Sequence, residues 1–321
     1  MDLIYTDENM IDQGVLRDFT LDIDLADGKD FEIKTDPSNA TMAIGSYWYA
    51  MNTEYGGRVD RIKVDTDNNE LTYGGRSWRG MLASKIVSPP DGASHRVLTG
   101  DWQKVVQALI EHCGLADLFV ADAAPVTLDA WVVDRYVTLL SVLTKILDAK
   151  QYRFRLYWSG DKVHVGAEAI RDLTDTVQYE TDDKVHLVVE DNRGGVNHLI
   201  CLGQGEGTAR EVVHLYCTAT GGITELQQTF KGLDAIEDVY ENTSATTREE
   251  LKSGGFERLK ELRNGQTFSV SVEDYDVQIG DIVGGKERIT GISVAEPVTN
   301  IIYKIDSEGN PSIEYKVGEN A

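Results

Sequence analysis

A run of oxygen-bearing side chains at Asp65–Asn69 is the segment most similar to a calcium-binding loop. An EF-hand loop also needs glycine at its sixth position and glutamate at its twelfth, because the chain must turn sharply and the last carboxylate completes the coordination. Those positions hold Glu70 and Arg76. The run is therefore predicted to be the polar tip of a hairpin.

A second candidate motif is the glycine series Gly203, Gly205 and Gly207, which follows a predicted strand. A dinucleotide-binding turn requires its third glycine where this chain has Thr208, and a helix must then begin at the phosphate. The residues that follow alternate as a strand does, and Glu206 would repel a phosphate. The series predicts a hairpin turn and no cofactor site.

Histidine and cysteine are the side chains that could bind a transition metal. The chain has six histidines, and none stands in an HExxH, HxH or CxxH spacing. A zinc site would need a long-range convergence that the sequence cannot reveal, and the prediction is that no metal site exists. The three cysteines, Cys113, Cys201 and Cys217, are far apart and flanked by apolar residues, which predicts buried, unpaired thiols.

No pattern of nucleophile and base stands out. The chain contains neither a GxSxG elbow nor a P-loop, and its many carboxylates rank no acid–base pair above another. We therefore predict no catalytic residues and no enzyme activity.

Clustered aromatic residues are open to two interpretations, a sugar-stacking platform or a strand core or subunit interface. They are Tyr47, Trp48, Tyr49, Trp78, Trp131, Tyr157 and Trp158.

The bulk composition excludes several classes of function. The 321 residues include 54 acidic and 31 basic side chains, for a net charge of −23, so specific nucleic-acid binding is not expected. No apolar stretch approaches the ~20 residues that a membrane helix needs. The N-terminus lacks a basic and an apolar signal region, which predicts a protein folded in the cytoplasm.

The elements that would position any site follow from hydrophobic periodicity. Residues 1–90 alternate as strands, including a hairpin around Asp27–Gly28, until Pro89–Gly92 breaks the pattern. Two helices follow, one with Thr99 or Asp101 as N-cap and Gly114 as its end, and one over about 136–149. Strand patterns return from 186, interrupted by a helix that the capping box Thr246–Glu249 should open.

We therefore predict an α+β protein that is mostly β. The predicted domains are a first tube-like β-barrel or sandwich domain (1–90), a smaller α+β domain (91–185) and a second tube-like β domain (186–321) with a helical excursion near 246–263. Gly254–Gly255 weakens the case for that helix, because glycine costs about 1 kcal/mol against alanine.

Three parts of the sequence together resemble the hub or tail-associated proteins of long-tailed phages and prophages of Gram-positive bacteria, a siphovirus-type baseplate hub family. None of them is a chemical signature, and the resemblance covers almost the whole chain; the segments are Glu54–Val64 with Leu71–Leu82 and Ile86–Pro90, then Leu139–Tyr157, then Gln278–Gly285, Thr290–Ile292, Pro297–Ile301 and Ser312–Gly318.

The resemblance implies two tube-like β domains per chain and a homotrimer that joins the sixfold tail tube to a threefold spike. It implies a location in the tail tip, where the partners are a tail tube or distal tail protein, a spike or tail fibre protein, and the tape-measure protein. Acidic side chains would line a conduit and keep DNA from adhering. Peptidase and receptor-binding activities of longer relatives are expected on another polypeptide.

Two alternatives remain open at this point. The first is a carbohydrate-binding or carbohydrate-cleaving tail module that acts on the host cell wall, suggested by the aromatic clusters and surplus carboxylates. The second is a cytoplasmic assembly factor that never enters the particle.

Overall fold

The computed structural model describes residues 2–174, 185–191, 194–218, 222–226, 228–263, 266–272, 277–286 and 293–318. Compactness separates the chain into two units. Unit 1 comprises Met1–Leu187, Ser269–Lys286 and Ala295–Val317, and unit 2 comprises Val188–Phe268, Glu287–Val294 and Gly318–Ala321. The predicted domain boundaries at residues 90 and 185 separate segments by their type of secondary structure, whereas the two units are separated by compactness. Those boundaries stay a prediction.

Unit 1 begins with the strands that the alternating pattern of the first 90 residues predicts. They are β1 (Ile4–Thr6), β2 (Asp12–Val15), β3 (Phe19–Asp24), β4 (Asp30–Thr35), β5 (Tyr47–Tyr49), β6 (Gly56–Asp65) and β7 (Glu70–Ser77). Neighbouring strands pair antiparallel in the order β3-β4-β7-β6-β5-β1-β2. Leu21, Ile23 and Leu25 are buried as predicted, which confirms the half-buried alternation.

Helices and short strands follow in the middle of unit 1. They are α1 (Trp78–Ala83), β8 (Ile86–Val87), β9 (Arg96–Asp101), α2 (Trp102–His112), β10 (Phe119–Ala121), β11 (Thr127–Val133), β12 (Val137–Thr138), α3 (Leu139–Lys150), β13 (Tyr152–Ser159) and β14 (Lys162–Ala169). Strand β15 (Val185–Asp191) spans the division of the chain after Leu187. A three-stranded sheet, β10-β14-β13, shares one core with the three helices.

Local capping explains where two of these helices begin. The Asp101 side chain accepts a hydrogen bond from the Lys104 N–H, so the predicted N-cap of α2 is confirmed. Helix α3 begins at Leu139, three residues later than the predicted start, because Val137–Thr138 pairs with β8 and Thr138 caps the helix. The six-residue helix α1 was not predicted.

Unit 2 contains a four-stranded sheet covered on one face by a helix. Its elements are β16 (His198–Leu202), β17 (Val212–Cys217), β18 (Ile223–Thr224), β19 (Glu237–Glu241) and α4 (Arg248–Leu262), and the sheet order is β18-β17-β16-β19. The capping box of α4 stands one residue later than predicted. Thr247 accepts from the Glu250 N–H, and the Glu250 carboxylate accepts from the Thr246 N–H.

The last strands of the chain return to the first ones. They are β20 (Gln266–Val272), β21 (Ile282–Lys286), β22 (Ser293–Ile305) and β23 (Pro311–Val317). Ile302–Ile305 of β22 pairs antiparallel with Leu21–Asp24 of β3, and β23 pairs with the other side of β22. Segments about 280 residues apart therefore form one open sheet. In the described ranges its strands do not close on themselves, which corrects the barrel form of the prediction.

Candidate functional site

Strand β2 forms one end of the large sheet of unit 1. It pairs antiparallel with β1, with Ile4 opposite Val15 and Tyr5 opposite Gly14, and no described strand lies on its other side. The side chains of Ile11 and Val15 are 60% and 36% exposed. We call Ile11–Val15 the β2 edge.

The backbone of Val15 points away from the sheet. The Leu16 N–H donates to the Leu3 carbonyl at 2.8 Å, so the neighbouring Ile4–Val15 pair is the one that does not exchange hydrogen bonds. In an antiparallel ladder the residues of such a pair direct their N–H and C=O groups outward. Val15 therefore presents a donor and an acceptor to the free side of β2.

Side-chain contacts hold the β2 edge in place. The Tyr49 hydroxyl donates to the Asp12 carboxylate at 2.8 Å, and the Asp7 carboxylate accepts from the N–H groups of Asn9 and Ile11. Burial, then the hydrogen bond to Asp12, raises the pKa of Tyr49 to about 12. The phenol stays protonated at physiological pH, so it remains the donor that fixes β2.

A second free stretch lies on β6. Strand β5 pairs only with Gly56–Arg58 of β6. In the described part of the chain, no strand pairs with the remaining residues of β6 on the side that β5 occupies. We call Arg61–Asp65 the β6 margin. Ile62 and Val64 are exposed there, and they alternate with Arg61 and Lys63.

Ion pairs fix the charges beside the β6 margin. Arg76 donates to the Asp60 carboxylate at 2.7 Å, and this hydrogen bond, opposed by partial burial, lowers the pKa of Asp60. Arg61 lies 3.3 Å from Glu32 on the neighbouring surface. Both pairs are partly exposed to solvent, so they orient side chains more than they stabilise the fold.

An exposed strand edge with apolar side chains can be extended by another strand. The added strand gains main-chain hydrogen bonds, while alternate side chains decide which partner fits. Natural proteins protect such edges unless they use them. The β2 edge and the β6 margin are therefore the candidate functional site, because both could pair with another strand.

The motifs that suggested ligand binding are turns. Asp65 accepts hydrogen bonds from the Asp67 and Asn68 N–H groups between β6 and β7, which confirms the predicted hairpin tip. Strands β16 and β17 pair antiparallel on either side of the glycine series, so the predicted hairpin is confirmed there too. Neither loop was expected to bind a cofactor.

Most of the aromatic residues that suggested a sugar platform lie in the core. Trp48, Tyr49, Trp78 and Trp158 are each no more than 3% exposed. The Trp78 ring approaches Gly56 so closely that an added Cβ would lie 2.5 Å from the indole. The faces of these rings are buried and cannot stack on a sugar. The interpretation that they belong to the core is confirmed.

The thiols and imidazoles of the described residues are the candidate ligands for a transition metal. Cys201 and Cys217 are buried and all three cysteines are unpaired, as predicted, while Cys113 is partly exposed. In the described ranges, no group of three or more histidine, cysteine, aspartate or glutamate side chains is placed to hold a metal ion. The fold does bring His198 and His214 together, a contact that no short spacing could reveal.

Comparison with known proteins places the chain in a family. Residues 30–319 match the model of the family described as siphovirus ReqiPepy6 Gp37-like protein. The chain belongs to this family. The match covers the three segments on which the resemblance to phage tail proteins rests, and that resemblance is confirmed.

Solved structures of tail proteins share the fold of this chain. A tail protein from Neisseria meningitidis MC58 aligns with a TM-score of 0.56 at 14% identity, covering 99% of this chain and 96% of that one. The 43 kDa tail protein of prophage MuSo2 from Shewanella oneidensis aligns with a TM-score of 0.58 at 11% identity, covering 99% and 98%.

A third structure agrees. Prophage tail protein gp18 from Listeria monocytogenes EGD-e aligns with a TM-score of 0.52 at 12% identity, covering 100% of this chain and 96% of that one. Identities this low establish the fold alone.

The chain matches no curated protein sequence. Within the described ranges, no helix is both long and apolar enough to cross a membrane.

Proposed function

We propose that this chain is a non-enzymatic structural subunit of a phage-type tail, a hub that trimerises where the tail tube meets the spike or tail tip. The observation that supports this most is the open sheet of unit 1, whose β2 edge exposes apolar side chains and the backbone of Val15. Family membership and the shared fold with prophage tail proteins support the location in the tail.

Charge and exposed apolar side chains favour a head-to-tail contact between copies. The β2 edge contains Asp12, whereas the β6 margin contains two basic residues, Arg61 and Lys63, beside one acidic residue, Asp65, and both stretches expose apolar side chains. The β2 edge of one copy would extend the sheet along the β6 margin of the next. A heterologous contact of this kind closes into a ring when the rotation between copies is a whole fraction of a turn.

The net charge of −23 supports a second part of the proposal. Carboxylates on a ring's inner wall would repel the phosphates of passing DNA, so the conduit would not retain it. A structure of the ring would contradict the proposal of an acidic conduit if its lumen were basic or neutral and all its acidic side chains faced outward.

The proposed partners are the tail tube or distal tail protein above the ring, the spike or fibre protein below it, and the tape-measure protein. Cross-linking mass spectrometry of assembled tails tests all three. Cross-links to tube on one side and spike on the other are expected. Absence of the chain from purified particles would instead indicate an assembly factor.

The self-association can be tested in solution. Sedimentation equilibrium of the chain should give a concentration-dependent trimer, and the double variant Ile11→Lys/Val15→Lys should weaken it at least tenfold. The matched control is Val97→Lys/Val132→Lys, which charges two exposed valines that face each other across β9 and β11. Equal effects of the two double variants would exclude the β2 edge.

A disulfide trap tests the strand pairing itself. Cysteines introduced by Gln13→Cys and Lys63→Cys, each in a separate copy, should form an intermolecular disulfide on mild oxidation, whereas Val97→Cys with Lys63→Cys should not. A carbohydrate-acting module would show wall-digestion or glycan-array activity instead. The burial of Trp48, Trp78 and Trp158 counts against that alternative.

A further inference from the structure

Two histidines of unit 2 face each other on the sheet surface that α4 does not cover. Leu199, Cys201, Val213 and Leu215 point into the core shared with α4. Because side chains alternate along a strand, His198 of β16 and His214 of β17 lie on the opposite face. They are diagonal neighbours, since His198 stands opposite Tyr216 and Ile200 stands opposite His214.

The two imidazoles are joined through ring nitrogens. His198 Nε2 lies 2.9 Å from His214 Nδ1. On the other side of the same ring, His198 Nδ1 lies 2.6 Å from the Glu237 carboxylate on β19. A carboxylate at Nδ1 holds the proton there, so Nε2 presents its lone pair toward His214.

The surroundings hold His198 more firmly than His214. The His198 side chain is 8% exposed, and the Tyr216 ring stacks on it with the centroids 4.5 Å apart. His214 is exposed on the surface of the sheet. One imidazole is therefore oriented in advance, while the other has room to adjust.

This arrangement matches half of a metal coordination shell. Metal-binding histidines commonly donate their second N–H to a carboxylate, which orients the ring and makes the free nitrogen more basic. Two imidazole nitrogens at ~2.05 Å from a tetrahedral zinc ion stand about 3.3 Å apart. The observed N–N distance of 2.9 Å must open by about 0.4 Å, and the His214 ring must also turn so that its lone pair converges with that of His198 on the ion; His214 is exposed, which leaves room for this rotation.

We propose that His198 Nε2 and His214 Nδ1 bind one divalent ion of the zinc class, with Glu237 as the positioning residue behind His198. Imidazole nitrogen suits Zn²⁺ and its neighbours and is a poor ligand for Ca²⁺ or Mg²⁺. The remaining coordination positions face outward from the sheet, where water supplies them. In the described part of the chain no third protein ligand reaches the ion.

The protons balance without an outside reagent. In the metal-free pair, His214 donates its Nδ1–H to His198 Nε2. When the ion binds, that proton moves through water to Nε2 of His214, and both ligating nitrogens present lone pairs.

Calorimetric titration of the full chain with Zn²⁺ tests the proposal. A chain with 54 acidic residues binds zinc weakly at many places, so the readout is the difference between variants. His198→Ala and His214→Ala should each remove one equivalent of the tightest binding, and Glu237→Gln should weaken it about 10- to 100-fold. The matched control His95→Ala, in an exposed loop, should retain the full stoichiometry.

A spectroscopic measurement guards against variants that fail to fold. In the unaltered chain, one equivalent of Cu²⁺ should give an electron paramagnetic resonance spectrum with hyperfine splitting from two imidazole nitrogens, and Zn²⁺ should displace it. Oxygen-only coordination, or zinc stoichiometry equal in the unaltered chain and the histidine variants, would overturn the site and leave a hydrogen-bonded histidine pair. Loss of trimer formation does not affect this readout, so the proposal is separable from the proposed function.

Discussion

The indole ring of Trp158 stacks on the phenol ring of Tyr49, with their centroids 4.2 Å apart and their planes 16° from parallel. The Trp78 ring also stacks on Trp158, with their centroids 5.8 Å apart. The stack joins strand β13 to the strands and helix of the first 90 residues. One hydrophobic core therefore extends across residue 90.

Trp158→Ala should lower the free energy of unfolding of unit 1 by about 3–5 kcal/mol, because it removes a large buried ring and leaves a cavity. Guanidinium denaturation followed by circular dichroism measures the loss. Trp131→Ala is the control, since Trp131 is only partly buried. A loss no greater than the control's would mean that the core closes around the missing ring.

Asp281 is fully buried and forms ion pairs with two arginines of unit 1. It lies 2.6 Å from Arg171 and 3.3 Å from Arg153, whose side chain is 7% exposed. Asp281→Ala should destabilise unit 1 by about 3–5 kcal/mol, because Arg153 keeps a buried charge with less compensation. Thermal unfolding measures the change.

The matched control for Asp281 is Asp134→Ala, which breaks an exposed pair with Lys145 at 2.8 Å. Its cost should stay below about 1 kcal/mol. Similar losses for the two variants would contradict the distinction between buried and exposed ion pairs at these positions.

Gly255→Ala should destabilise unit 2, although alanine favours a helix over glycine. A Cβ at Gly255 would lie 2.3 Å from Cys201 Sγ and 3.0 Å from Leu215, so α4 could no longer approach the sheet. Overpacking of this kind costs about 1–3 kcal/mol, more than the ~1 kcal/mol gained in helix propensity.

Urea denaturation measures the Gly255 effect. The exposed helix position Ser253→Ala should be neutral or slightly stabilising. Adding Cys201→Ala to Gly255→Ala should recover part of the loss, since the clashing sulfur is gone. No recovery would place the conflict at Leu215 instead.

The stability of unit 1 should fall as pH rises from 10 to 12. The pKa of Tyr49 is raised by burial and by Asp12 to about 12 in the folded chain, against about 10 in an unfolded one. A raised pKa means that this contribution to stability is complete below pH 10 and is lost as pH passes through the folded value.

Other groups titrate in the same pH range, so the readout is the difference between the unaltered chain and Tyr49→Phe. The difference in denaturation midpoint should shrink toward zero by pH 12. Tyr136→Phe, at an exposed ring, should show no such pH dependence. A constant difference from pH 9 to 12 would show that Tyr49 ionises as an exposed tyrosine does.

Local sequence signals predicted a large part of the fold. Capping side chains that act within one turn predicted helix α2 through Asp101 and helix α4 through the Thr246–Glu249 pattern, although the residues that cap α4 are Thr247 and Glu250. The polar tip at Asp65–Asn69 follows from turn chemistry in the same way. Helix α1 escaped prediction because six residues are too few to show a helical period, and its Trp78 is fixed by contacts from distant strands.

The candidate site depended on contacts that no local signal contains. The pairing of β22 with β3 leaves β2 as a terminal strand, so its exposed backbone is a result of sheet order rather than of its own residues. The same holds for His198 and His214, which meet only because β16 and β17 pair in one register.

By itself the sequence determined the family resemblance. It also determined the mostly β composition, the hairpins and the start of α2, because these depend on interactions between near neighbours. Only the tertiary structure decided which strand edge stays open, which aromatic rings are buried, and why Gly255 must be a glycine. Those outcomes depend on pairing partners that are tens to hundreds of residues apart, where chain entropy is overcome only by the packing of the whole unit.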